Sequence, residues 1–546
     1  MLLSASPQYR PVSLDASTRI VRALADRGYN ADREAVTLLA SASDPQAAIE
    51  RALETVPDGT VVVTADHVKE AVDTPANGPK SAGSSQPTET DESGQSDDSQ
   101  HPPISTGDSH DQPTDSRDGV PVETKGSEND ARGSDFRDRD STSSGRSPVE
   151  PELSGDIQST GTGEYDDFVS VFRNRYEKLA AQLRGRVNHR PTDAVAEMSG
   201  NSDAAIIGMV SDIRSTASGH WLVELEDTNG TFPCLVMKDR DFADDVQTLL
   251  YDEVIAVEGS LADDAGILFV DTMHFPDVPR TYTPSTADRP VEAALVSDVH
   301  VGSEEFRADA WQRFADWLHT PEAESVEYLL VGGDMVEGVG VYPDQDEELD
   351  IVDIYDQYEA FSEHLKDVPG DMEIVMIPGN HDAVRLAEPQ PAFDEELRDI
   401  MSAHDARITA NPSMVTVEGV SVLMYHGTSF DEIIAELPDE HASYENPEGT
   451  MAQLLRKRHV APQYGGMTRI APEEEDHLVI EEVPDILHTG HIHKLGYGTY
   501  HNVLTINSSC WQAQTDFQKS VNLEPDVGYA PIVDLQTLDL TIRQFV

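Results

Sequence analysis

Five short stretches in the second half of the chain set carboxylate, carboxamide and imidazole side chains close together. They are Asp298-Val299-His300, Gly332-Gly333-Asp334, Gly379-Asn380-His381-Asp382, His426-Gly427 and Gly490-His491-Ile492-His493. Mixed oxygen and imidazole donors suit manganese, iron or zinc rather than a thiolate-bound metal. The two cysteines, Cys234 and Cys510, exclude a four-cysteine zinc site and a disulfide framework. Alone, Gly-Gly-Asp is usually a turn and His-x-His usually surface. Five such stretches in order, each directly after an apolar run, point to one composite metal site. Two cations close together need a shared anionic bridge with neutral ligands around it. Such a pair stabilises both the attacking and the leaving oxygen of an in-line displacement at phosphorus.

The apolar runs are Ala293–Ser297, Tyr328–Val331, Ile374–Ile377, Val422–Tyr425 and Ile486–Leu487. They read as buried strands. A helix carrying Trp311, Phe314, Ala315 and Leu318 separates the first two. Continuous apolar strands alternating with helical stretches imply an α/β layered core over residues 284–546, with ligands at the strand ends.

Upstream, residues 201–283 hold five short strand patterns: Ala205–Val210, Trp221–Leu225, Phe232–Val236, Glu253–Glu258 and Ile267–Asp271. With the turn Asp227-Thr228-Asn229-Gly230 and a helical segment near 242–250, they predict a small closed barrel of OB type. Such barrels bind single-stranded nucleic acid or mediate subunit contacts, and the pattern leaves both open. Residues 164–200 are a helix and linker, with Phe168, Val171, Phe172, Tyr176, Leu179 and Leu183 on one stripe. Residues 74–163 are rich in Ser, Thr, Asp, Gly, Pro and Gln, a composition that predicts a disordered acidic tether. Residues 1–73 read as a small helical, partner-binding domain with a short extended stretch at Val61–Val63.

The order of the five stretches, from Asp298 to His493, resembles the calcineurin-like metallophosphoesterases. The resemblance implies a layered sandwich and a ligand set. Asp334 would bridge two divalent cations. Asp298, His300 and His493 would complete one site, and Asn380, His426 and His491 the other. Manganese is the first expectation, with magnesium, iron(II) and zinc as alternatives. The same resemblance gives His381 contact with the phosphate and protonation of the leaving oxygen, and gives Asp382 the orientation of that imidazole. Helical domain, tether, barrel and phosphoesterase domain together resemble the small subunits of archaeal family-D DNA polymerases, over nearly the whole chain except the tether. That family implies a 3′→5′ exonuclease acting on single-stranded or mismatched DNA 3′ ends beside a separate large catalytic subunit. Its eukaryotic relatives have lost metal ligands, whereas every ligand position is filled here. The competing readings are a catalytically silent scaffold and a stand-alone phosphodiesterase, and the second leaves the barrel and N-terminal domain without a purpose. Arg456, Lys457, Arg458 and His459 are candidate contacts to DNA phosphates, or a helix end whose charges pair with local acids. Trp511 is a base-stacking candidate or a core residue.

The 546 residues carry 38 Lys and Arg against 102 Asp and Glu, a formal net charge of -64. Residues 76–165 contribute only about -12 of this, so the excess lies on the parts expected to fold. The nine lysines are outnumbered by 29 arginines. Acidity spread over folded regions reads as adaptation to very high intracellular salt, where a Debye length of about 3 Å at ~1 M makes self-repulsion tolerable. No run of 18 apolar residues and no secretory signal at Met1–Arg10 are visible, which predicts a soluble, cytoplasmic protein.

Overall fold

The computed structural model describes residues 165–341, 345–401 and 407–546, together with 148–154, 157 and ten positions between 30 and 69. The chain divides into two compact units, Met1–Gln112 and Pro113–Val546. In the first, β1 (Asn30–Ala31) pairs in parallel with β2 (Val62–Val63). Leu39, Ile49, Ala52 and Val68 are helical and buried. The rest of the expected 1–73 domain, and most of the expected tether, lie outside the described residues.

In the second unit, helix α1 (Tyr165–Leu183) buries Val171, Arg175, Leu179 and Leu183, one residue per turn. Leu179, Ala180 and Leu183 pack on Ala205, Ile207, Val254 and Ala256 of a closed barrel. The barrel comprises β4 (Asp203–Ser215), β5 (Trp221–Asp227), β6 (Gly230–Val236), β7 (Val254–Leu261) and β8 (Leu268–His274), in the order β4-β5-β6-β8-β7. Its one parallel pair joins the third and fifth strands, as in an OB barrel. The turn read between β5 and β6 is built by Asp227, whose Oδ1 accepts from Asn229 N at 2.8 Å and Gly230 N at 3.2 Å. The helical segment expected before β7 is a 3-10 turn, Ala243–Thr248.

Two six-stranded sheets follow. In the first, β9 (Glu292–Val296), β10 (Val326–Val331), β11 (Glu373–Met376) and β12 (Arg407–Ile408) run parallel. The antiparallel strands β18 (Tyr529–Asp534) and β19 (Leu540–Gln544) continue beyond β9. The second sheet has the order β16 (Leu495–Tyr500), β17 (Val503–Ser508), β15 (Ile486–Thr489), β14 (Val420–Met424), β13 (Ser413–Val417) and β3 (Glu152–Ser154).

Leu295, Tyr328, Leu330 and Val375 of the first sheet interlock with Val415, Val422, Ile486 and Ile506 of the second. The alternate residues Val296, Leu329, Val331 and Ile374 meet Trp311 and Phe314 of helix α2 (Ala308–Leu318) and Tyr358 and Phe361 of helix α3 (Ile354–Leu365). On the far side, Leu423, Tyr425 and Leu487 meet Phe430 of helix α4 (Phe430–Glu436) and Met451 and Leu454 of helix α5 (Pro447–Lys457). The layers are therefore helix, sheet, sheet, helix. Both faces of each sheet are covered, which is why the strands read as unbroken apolar runs. Among the described residues no helix is long and apolar enough to cross a membrane.

One part of the expected tether belongs to this fold. β3 pairs antiparallel with β13, Leu153 opposite Val415. Val149 N donates to the Tyr328 hydroxyl at 2.9 Å, Glu150 pairs with Arg407 at 3.2 Å, and Ile157 is buried. Main-chain pairing closes a sheet edge without needing apolar side chains, so a polar composition does not exclude it. Deleting residues 148–157 is therefore expected to lower the melting temperature. Loss of the Ile157 burial alone is worth about 1.5–3 kcal/mol, and a unit as large as Pro113–Val546 shifts by about 1 °C per kcal/mol. Thermal circular dichroism of the deletion against the full chain checks this, and an unchanged melting point would mean the strand adds nothing.

Candidate metal centre

The parallel register of β9, β10 and β11 sets Val296, Val331 and Met376 side by side, so the loops that follow open at one edge. Asp298 and His300 follow β9, Asp334 follows β10, and Asn380 and His381 follow β11. His426 follows β14, and His491 and His493 follow β15. Asp298, His300, Asp334, His491 and His493 have φ of 53°, 56°, 51°, 72° and 55°. Left-handed backbone costs a non-glycine residue about 1–2 kcal/mol. Five such residues at one place mark a site where side-chain direction outweighs backbone comfort. The loops also close tightly. A Cβ on Gly379 would collide with Asp334 Oδ1, and one on Gly490 with Asp298 Oδ2.

Each candidate imidazole ligand has one nitrogen engaged. His300 Nδ1 lies 2.8 Å from Glu337 Oε2, and His426 Nδ1 2.9 Å from Gly332 O. His491 Nε2 lies 3.2 Å from Asp431 Oδ2, and His493 Nδ1 2.9 Å from the Gln518 carboxamide. The other nitrogens turn to the cluster. His300 Nε2 and His493 Nε2 are 3.0 Å apart. His426 Nε2 is 3.1 Å from both Asp334 Oδ2 and Asn380 Oδ1. Ligand atoms of Asp298, His300 and His493 lie within 4.8 Å of one another, as do those of Asp334, His426 and His491. Asp334 Oδ2 stands between the groups, 3.8 Å from His300 Nε2. All seven expected ligands are thus brought together.

These residues fit a pair of cations. His300 Nε2 and His493 Nε2, 3.0 Å apart, share a ring-to-ring hydrogen bond that a cation held by both nitrogens would replace. The electrostatics ask for the same charge. Burial pushes the His426 imidazole down, but Asp334 and Asp298 outweigh it and hold it up at about 10. Burial also opposes ionisation of Asp334, yet His426, His381 and His300 keep its carboxyl well below the ordinary value. Two buried carboxylates thus face a ring of imidazoles, a donor set that divalent cations would suit.

His381 lies beside the ligands. Its backbone N donates to Asp334 Oδ1 at 2.8 Å, and its Nδ1 donates to the main-chain carbonyl of Glu337 at 2.7 Å. The expectation that Asp382 orients this imidazole is corrected by the structure. The Asp382 carboxylate turns into the core and accepts from Gly379 N, Met335 N and the Tyr358 hydroxyl at 2.8, 3.3 and 2.9 Å. It ties the loops after β10 and β11 together. Burial, then the neighbouring Asp334, raise its carboxyl to about 6.

The candidate DNA contacts are corrected too. Lys457 is buried, with Nζ 2.8 Å from Glu253 Oε2 and 2.6 Å from Thr248 O. Arg458 donates to Ile480 O and Glu481 O. His459 Nε2 lies 3.0 Å from Asp476 Oδ2, which also holds Arg175 Nε at 2.7 Å. Arg456 pairs with Asp245 at 2.8 Å and lies over the Phe275 ring. These charges join helix, barrel and layered domain at a helix C-terminus, where cations are favoured. Trp511 is fully buried against Trp311 and Phe314, so it stacks no base.

Three supporting residues escaped the sequence reading: Glu337, Asp431 and Gln518. Glu337 had one available signal, its place three residues after Asp334 in the same loop. Asp431 and Gln518 sit on helix α4 and on helix α6 (Asp516–Ser520), with no motif around them. His300, Asp334, His381, His491 and His493 line the floor of a cleft of about 260 Å³, with Tyr444, Phe517 and Val521 in its walls.

The B-subunit family of DNA polymerases alpha and epsilon matches residues 293–495, which include every candidate ligand. A DNA polymerase II small subunit of Halobacterium salinarum is 63% identical over 534 residues, covering 97% of this chain and 99% of that one. The chain belongs to the DNA polymerase II small-subunit family. A further DNA polymerase II small subunit, from Archaeoglobus fulgidus, is 43% identical over 379 residues, 68% of this chain and 75% of its own. That of Pyrococcus furiosus is 38% identical over 387 residues, 68% of this chain and 62% of its own. Among solved structures, a novel archaeal phosphodiesterase aligns with 46% of this chain and 98% of its own at 13% identity and a TM-score of 0.24, too low to bear on the fold.

Proposed function

We propose that this small subunit is a metal-dependent 3′→5′ exonuclease of calcineurin-like metallophosphoesterase type. It trims single-stranded or mismatched DNA 3′ ends beside a large subunit that performs synthesis. The observation that carries the reading is the complete ligand set, in which each candidate imidazole ligand is oriented from behind by a protein group. A scaffold without chemistry has no use for seven converging ligands, five of them on strained backbone.

Asp298, His300 and His493 would hold one divalent cation, and Asn380, His426 and His491 the other, with Asp334 available to both. When bound, the two cations, manganese first, supply an activated water and charge stabilisation at phosphorus. The protein's own groups do the rest. Glu337, Gly332, Asp431 and Gln518 fix which nitrogen of each imidazole faces inward. The Glu337 carbonyl holds His381 Nδ1–H, which leaves Nε2 to hold a proton toward the cleft and give it to the departing 3′ oxygen.

His381→Ala is expected to keep the metal content and lose turnover by ~10²–10⁴-fold, the usual worth of general acid–base assistance. Metal analysis and manganese-dependent hydrolysis of a labelled single strand, made on one sample, test it. Parallel loss of metal and rate would make His381 a ligand instead.

A further inference from the structure

One wall of the cleft is apolar, in contrast to its polar floor. Helix α6 begins at Thr515, whose hydroxyl accepts from Gln518 N while Gln518 Oε1 accepts from Thr515 N, both at 3.2 Å. This reciprocal cap fixes the short helix. The Gln518 carboxamide also reaches His493 Nδ1 at 2.9 Å, so the helix is anchored directly to a candidate ligand. Beside that anchor stand Phe517 and Val521, 55% and 57% exposed and one turn apart, both lining the cleft. Ile492 and Leu523 continue the apolar surface inward. Another part of the lining is polar, where the Tyr444 hydroxyl donates to Asp431 Oδ1 at 2.7 Å.

We propose that Phe517, backed by Val521, is the stacking platform for the base of the 3′-terminal nucleotide. The inference deepens the nuclease reading and rests on it. A phosphodiester on the cleft floor carries its nucleoside within one residue's reach, and Phe517 and Val521 present an apolar face there that suits a base. About 260 Å³ lies just below the usual range of ligand clefts, which leaves room for no more than one nucleotide. Every base has a π-face, so stacking holds any terminal nucleotide without reading sequence. A paired terminus keeps its base in the duplex stack. The platform therefore selects unpaired or frayed ends, the ends a proofreading activity must find. Stacking also answers an electrostatic difficulty. The cations Arg456 to His459 are committed inside the fold, and salt weakens phosphate contacts in any case. An apolar contact keeps its strength in high salt.

The test compares two fluorescein-labelled oligothymidylates, one ending in thymidine and one in an abasic tetrahydrofuran residue. Binding to the full chain is read by anisotropy in molar KCl with calcium, and trimming is read separately with manganese. The wild-type chain should bind the base-ending strand roughly tenfold better than the abasic one. In Phe517→Ala this preference should collapse while abasic binding is unchanged, and Phe517→Trp should restore it. A preference that survives in Phe517→Ala, or is absent from the wild type, overturns the platform. If neither strand is trimmed but the Phe517-dependent binding preference is present, the nuclease reading fails and the platform stands. Trimming without any preference overturns the platform alone.

Discussion

Asp334→Asn should reduce manganese-dependent hydrolysis to background, a loss on the order of 10³-fold or more. Asparagine keeps the shape of the side chain and removes only its charge, so packing at this buried position is preserved. What disappears is the anion that both ligand groups share. Asp334 Oδ2 lies 3.1 Å from His426 Nε2 and 3.8 Å from His300 Nε2, so it stands between the two groups. The Asp298 carboxylate lies 3.4 Å from His493 Nε2 in the first group, and it meets the second group only through the backbone N of His491 among the described residues. A neutral carboxamide at 334 leaves the Asn380, His426 and His491 group with no negative ligand, so the second cation should be lost first. Metal content per chain, thermal circular dichroism and strand hydrolysis belong on the same preparation. A folded variant that retains both cations and full activity would remove Asp334 from the site.

The candidate ligands were legible as a cluster because their signal is local. An apolar run followed within a few residues by Asp, Asn or His announces a strand end that carries a donor, and no long-range information is needed. The barrel was legible for a similar reason, since Asp227 and Gly230 write its first hairpin into four residues. What failed depended on partners far away in the chain. Lys457 looked like a free cation because Glu253, which neutralises it, lies 204 positions earlier. His459 was paired across a loop, and its partner Asp476 also holds Arg175 from 301 positions away. Asp382 was read from adjacency to His381, yet loop geometry turned its carboxylate toward Gly379 and Met335. β3 was hidden because main-chain pairing leaves little mark on composition.

Folding and activity should both rise as KCl increases from ~0.1 M to ~2 M, over which the Debye length falls from about 10 Å to below 3 Å. The formal charge of -64 lies mostly on the regions that fold, and 38 cations cannot pair with 102 acids. Several of those cations are also spent inside, as Lys457 on Glu253 and Arg175 on Asp476. The acids left at the surface therefore face one another, and at low salt their repulsion favours the expanded chain. The buried pairs are little affected by screening, so they hold the core at any salt concentration once repulsion is relieved. Ordinary DNA-binding proteins weaken as salt rises, because counterions are released from the phosphates. Here the same rise removes repulsion between an acidic surface and an acidic strand. The contacts proposed to remain, cation to phosphate and Phe517 to base, are short-ranged. Hydrolysis rate and circular dichroism over one salt series should climb together before any decline. A folded, fully active chain at ~0.1 M would show that the acidity serves some purpose other than salt tolerance.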